Sequence, residues 1–130
     1  MGLFSSYKDA VIWRKSMDLA ISVNSVVRDF PEKEKEYQGL SCQLMQAAIR
    51  IPSRVAESYE PMLHNPDEML QMARFHLSET EFLLDISSQL GFIQEANRIR
   101  LQECCLEIRD MINKMIRRSG KREVFHEEGI

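Results

Sequence analysis

At 130 residues, with 44% hydrophobic and 28% charged side chains, the chain has the length and composition of one globular domain. That balance excludes a disordered chain, and the lack of any apolar run near the roughly 20 residues that span a bilayer argues against a transmembrane one. A net charge of -3 and a pI near 5.6 give no general attraction for nucleic acid or anionic lipid, so any basic surface has to be local. The opening MGLFSSYKD lacks a basic stretch followed by an apolar one, so no secretory signal is expected and the cytoplasm is the expected compartment. The three cysteines are an odd number, and neighbours Cys104 and Cys105 cannot bridge each other without strain on a helix. They read as small buried apolar residues in a reducing compartment.

The first predicted helix runs from about Tyr7 to Asp29. Ile12, Trp13, Leu19, Ala20, Val23, Val26, Val27 and Phe30 recur at three-and-four spacing, and Phe30-Pro31 closes it because the residue before proline is pushed out of the α region. Charged residues fill Glu32 to Glu36, which reads as a solvated connection. The second helix begins near Tyr37 to Leu40 and contains Pro52, so a bend is expected there, with the helix continuing as far as Tyr59. Continuity follows from the apolar phase of Leu40, Leu44 and Ala48, which Val55 and Tyr59 keep.

Pro61 ends that helix. Asn65-Pro66-Asp67-Glu68 then supplies a cap, a proline suited to the first helical position and two acids at the positive end of the dipole. The third helix reaches about Leu90 and stops at Gly91, with Met69, Leu70, Ala73, Leu77, Thr80 and Leu84 on its core side. The fourth spans about Gln94 to Arg118, buries Leu101, Cys104, Ile108, Met111, Ile112 and Met115, and ends at Ser119-Gly120. Long amphipathic helices on short connections predict an all-α, up-down-up-down antiparallel four-helix bundle over residues 1–119, with residues 120–130 as a flexible polar tail.

The two middle helices carry more apolar surface than one bundle needs. On the second, Leu40, Leu44, Ala47, Ala48, Ile51, Val55 and Tyr59 gather on one side, while Cys42, Met45, Ile49, Pro52 and Ala56 gather on another. On the third, Phe75, Phe82 and Ile86 fall within about 40° of one another and roughly 150° from the core side. Scattered exposed apolar residues are ordinary, but clustered aromatics on a second face point to a subunit interface. The interface residues predicted are therefore Met45, Ile49, Phe75, Phe82 and Ile86. Periodicity alone leaves a two-fold dimer and a closed ring both open.

Chemistry is sparse. His64, His76 and His126 form no zinc spacing, and His76 with Glu79 reverses the Glu-x-x-His order of di-iron bundles without a second copy. Glu57, Glu79 and Glu81 lack a nucleophile, metal or phosphate loop nearby and read as ion-pair partners, with Arg54 one turn from Glu57. No enzyme activity, cofactor, metal or small-molecule substrate is expected. The basic candidates for nucleic-acid contact are Lys114, Arg117, Arg118, Lys121 and Arg122 at the end of the fourth helix, together with Arg50 and Arg54. Basic residues at a helix C-terminus also complement its dipole, which is the plainer account of the first group.

A set of short motifs adds a resemblance. Tyr7-Lys8-Asp9 with Trp13 and Lys15 is followed by Phe30-Pro31, then Gly39-Leu40 with Gln43-Leu44, then Ala47-Ala48, Ile51-Pro52-Ser53 and Ala56-Glu57. Leu77-Ser78-Glu79-Thr80-Glu81 and Leu90-Gly91-Phe92-Ile93 complete the series. Over about Tyr7 to Ile93 the chain resembles the 23S rRNA intervening sequence proteins, a four-helix family whose relatives include accessory proteins of diversity-generating retroelements. The resemblance implies a small cytoplasmic protein without catalytic activity that forms a homopentameric ring. It also implies an RNA or protein partner, tied to ribosomal RNA inserts or to a reverse transcriptase. Where such relatives carry two arginines before Ala47-Ala48, this chain has Met45-Gln46, and it has Arg54 and Ser58 where they commonly have asparagine and glycine.

Overall fold

The computed structural model describes residues 6–62 and 65–128, with side chains as far as Ser119. Among the described residues there is no strand. A single turn, α1 (Ser6–Asp9), precedes α2 (Val11–Val27), and a short 3-10 turn at Glu32–Lys35 leads into α3 (Leu40–Glu57), α4 (Pro66–Gln89) and α5 (Glu95–Glu128). The four long helices close a ring of contacts: α3 packs between α2 and α4, and α5 packs between α4 and α2. Leu19 and Val23 of α2, Leu44, Ile51 and Val55 of α3, Leu77 and Leu84 of α4, and Leu101, Ile108 and Ile112 of α5 are fully buried at the centre. Ala47 and Ala48 on α3 and Ala73 on α4 are buried as well, and such small side chains let helix axes approach closely.

The first helix differs from its predicted continuous run. Ala10 adopts an extended conformation, φ -69° and ψ 131°, and splits off α1. Alanine is the best helix former, so the cause is tertiary. Six residues apart on an unbroken helix, Tyr7 and Trp13 would point about 120° apart. The break brings their rings edge to face at 5.4 Å, 84° between planes.

The connection at Glu32–Lys35 does more than carry charge. Glu34 is half-buried, and its Oε2 accepts a hydrogen bond of 2.9 Å from the Leu40 backbone N–H, capping α3 from outside the helix. Gly39 passes so close to Glu34 that an added Cβ would lie 2.3 Å from its carbonyl oxygen. Pro52 sits inside a helix that continues to Glu57, with Ile51 and Val55 fully buried on either side. An interior proline costs about 3 kcal/mol, which burial of those two side chains offsets.

At the far end of α4 the expected stop is present in full. Gly91 takes φ 79°, the Phe92 N–H donates to Ser87 O at 2.9 Å and the Gly91 N–H donates to Ser88 O at 2.9 Å. These are the two bonds of a Schellman motif. Phe92 then meets Phe30, ring centroids 5.7 Å apart, closing that end of the bundle. At the start of α4, Pro66 occupies the first turn, but Asn65 makes no side-chain capping bond.

Two features of α5 depart from expectation. Cys105, rather than Cys104, is the fully buried cysteine, because Leu101, Cys105, Ile108 and Ile112 keep an i, i+4, i+7, i+11 phase while Cys104 is half-buried beside it. Nor does the helix stop at Ser119-Gly120, since its backbone continues to Glu128. A glycine without a following proline costs an exposed helix only about 1 kcal/mol. The remainder of the predicted tail, residues 129–130, lies outside the described residues, as does His64.

Candidate functional site

The surplus apolar surface divides into a ridge and a groove. On α4, the core phase of Leu70, Ala73, Leu77 and Leu84 leaves Phe75, Phe82 and Ile86 on the outer side, with 64%, 64% and 37% of their surface exposed. Covering either phenylalanine stabilises by about 1–2 kcal/mol, two-thirds of the value for a fully exposed ring. Val11 and Leu90 are exposed singly elsewhere, and Ile99 and Leu106 form a shorter aliphatic pair on α5. The α4 ridge is set apart by its two aromatics on one stripe.

The groove lies between α2 and α3. Met45 is half-buried and Ile49 is 51% exposed, and both line two adjoining hollows. One, of about 430 Å³, is walled also by Val27, Arg28, Lys35 and Cys42. The other, of about 320 Å³, is walled by Met17, Ile21 and Asn24 of α2 and by Pro52 of α3. Of the five predicted interface residues, Met45 and Ile49 therefore belong to the groove, and Phe75, Phe82 and Ile86 to the ridge. Sequence reasoning missed the α2 wall. Its signal was available: Met17, Ile21, Asn24 and Arg28 recur at three-and-four spacing, away from the core phase of Leu19, Val23 and Val26.

The cations do not form one patch. Arg50 is exposed on α3. Arg54 donates from Nη1 to Glu57 Oε2 at 2.9 Å, and Lys114 pairs with Asp110 at 3.0 Å. Arg117 and Arg118 are exposed at the end of the bundle, where Arg118 borders a hollow of about 220 Å³ with Tyr59 from the end of α3 and Asp67 from the start of α4. The side chains of Lys121, Arg122 and His126 lie outside the described residues.

The carboxylates singled out in the sequence are engaged in ion pairs. Besides Glu57 with Arg54, Glu81 pairs with Arg109 across α4 and α5 and holds that guanidinium's pKa above its ordinary value. His76 Nδ1 lies 2.6 Å from Glu79 Oε1, while the buried Nε2 has no hydrogen-bond partner among the described residues. Lys15 reaches Glu107 at 2.7 Å between α2 and α5, and this contact raises the lysine pKa. Further polar links join α4 to α5: Arg74 to Asn113 at 2.7 Å, Arg109 to Ser78 at 3.0 Å, and Gln102 to Asp85. Among the described residues no three of His, Cys, Asp or Glu gather where a metal could be held, and no helix is long and apolar enough to cross a membrane.

One family model, described as 23S rRNA-intervening sequence protein, matches residues 8–114. The chain belongs to this family. The family match takes in the ridge, the groove and most of the bundle, and it reaches into α5 beyond the motif-bearing stretch that ends at Ile93. It stops at Lys114, so Arg117, Arg118, Lys121 and Arg122 lie past the family's matched residues. No curated protein matches the chain.

Proposed function

We propose that this member of the 23S rRNA-intervening sequence protein family is a non-enzymatic scaffold, an antiparallel four-helix bundle that assembles with copies of itself and presents the ring to a macromolecular partner. The observation that carries it is the pair of phenylalanines left 64% exposed on one stripe of α4. The up-down-up-down order is supported by the α4 to α5 links, in which numbers rise on one helix as they fall on the other: 74 with 113, 78 with 109, 85 with 102. A pentamer is the assembly that the family resemblance implies. A reducing, cytoplasmic setting is supported by the three unbridged cysteines. Changing Phe75 and Phe82 together to serine is expected to lower the native mass while the helical circular dichroism is unchanged. A double variant that keeps the wild-type mass would contradict the reading.

Family membership favours one second reading, an RNA-binding accessory protein. Arg117 and Arg118, exposed at one end of every protomer, would be repeated around a ring and would multiply a weak attraction for phosphates.

A further inference from the structure

We infer that the α2–α3 groove is a binding site for a medium-chain aliphatic carboxylate, held by its headgroup at the Arg28 and Lys35 end with its tail lying along Ile49 toward Pro52. The two hollows share Met45 and Ile49, so they form one continuous trough, which runs about 16 Å along α2 from Arg28 to Met17. Their volumes, about 430 and 320 Å³, fall in the range of small-molecule sites, about 300–1,000 Å³. Polarity changes from one end of the trough to the other. The larger hollow gathers Arg28, Lys35, Ser41, Cys42 and Gln46. The smaller is walled by Met17, Ala20, Ile21 and Pro52, and Asn24 is its one polar side chain among the described residues. Among those residues no carboxylate lines either hollow. A charged head on an apolar tail matches that gradient.

The charged end is equipped for an anion. Ser41 is only 6% exposed, and its hydroxyl has no hydrogen-bond partner among the described residues. A buried donor left unpaired is costly, and a turn about the serine χ1 toward a bound carboxylate oxygen would satisfy it. Arg28 has no ion-pair partner among the described residues, and the partner of Lys35, Glu32 at 3.1 Å, is 90% exposed and easily exchanged. Ser41 and Cys42 also stand in the first turn of the 18-residue α3, where backbone N–H groups favour negative charge. Glu34 takes the Leu40 N–H there, and those of Ser41 and Cys42 have no partner among the described residues. At the apolar end, a tail would cover Ile21 and Ile49, otherwise 59% and 51% exposed, and the flexible side chains of Met17 and Met45 can close on an unbranched chain.

Calorimetric titration of decanoate into the protein, below the concentration at which it forms micelles, tests the site. One molecule should bind per chain, about tenfold more tightly than decanol, which has the tail without the charge, and than acetate, which has the charge without the tail. Arg28→Gln with Lys35→Gln should bring decanoate down to the affinity of decanol, Ser41→Ala should weaken it several-fold, and Ile49→Asp should abolish binding. Arg28, Lys35 and Ile49 are exposed, so the fold should survive, which circular dichroism checks; Ile49→Ser is the milder replacement. Decanoate binding that is unchanged in the double glutamine variant or in Ile49→Asp, or that decanol matches, would overturn the assignment. So would a wild type that binds no decanoate, and if Ile49→Asp then lowers the native mass, the groove's occupant is a second copy. The scaffold reading rests on the α4 ridge and not on this groove, so a monomer that binds decanoate would support the site and remove that reading alone.

Discussion

Replacing Gly39 by alanine should destabilise the bundle, although the backbone there, φ -70° and ψ 167°, suits any residue. In an unstrained position the substitution would stabilise by about 0.4–1 kcal/mol, because alanine has less freedom to lose on folding. Here the new Cβ would meet the Glu34 carbonyl oxygen at 2.3 Å and its carbonyl carbon at 2.6 Å. The Glu34 backbone would have to retreat by about an ångström, and overpacking of that kind costs about 1–3 kcal/mol. Retreat also pulls Glu34 Oε2 from the Leu40 N–H, 2.9 Å away, and a lost cap costs about 1 kcal/mol more. The net expectation is a loss of about 1.5–3 kcal/mol. Urea denaturation followed by circular dichroism measures it, at one fixed protein concentration because association and stability are linked. Glu34→Ala, which removes only the cap, should lose about 1 kcal/mol. A Gly39→Ala protein as stable as the wild type, or more so, would refute the clamp between the connection and the start of α3.

Alkaline stability should depend on Cys105, whose thiol is pushed by burial up to about 12. Its pKa is raised on folding, so its contribution is whole below pH 9 and is lost as pH rises toward 12, at about 1.4 kcal/mol per pH unit. Cys105→Ala should flatten that decline relative to wild type in denaturation curves at pH 8, 9 and 10, and an equal slope in both proteins would contradict the assignment. For the RNA reading, Arg117→Gln with Arg118→Gln should weaken single-stranded RNA binding in a gel-shift or anisotropy assay. The slope of log affinity against log salt should become shallower by about 0.7 for each phosphate no longer neutralised, and unchanged binding would remove these arginines from the interface.

Local chemistry made several elements legible in the sequence. Asn65-Pro66 placed the start of α4 and Gly91 its end, because proline at a first turn and glycine at a left-handed stop are requirements of the backbone itself. The continuity of α3 through Pro52 followed from apolar phase. What stayed hidden depends on contacts distant in sequence. Ala10 is helix-favouring by itself, and its extended conformation goes with the packing of Tyr7 on Trp13 and of α1 against α3. Ser119-Gly120 resembles a terminus, but nothing there forces the chain out of the helix. The exposed ridge on α4 could be read from angles alone. Each wall of the groove was also legible as a stripe at three-and-four spacing, but that Met17 and Ile21 stand opposite Met45, Ile49 and Pro52 depends on how α3 packs against α2.

The native mass of the protein in solution bears most directly on this account. Light scattering or native mass spectrometry at micromolar concentration should report a defined multiple of the 15.2 kDa chain, five copies if the pentamer proposed above forms. A single 15.2 kDa species across that range would leave the phenylalanines of α4 facing water without a partner copy, and would contradict the proposal at its root.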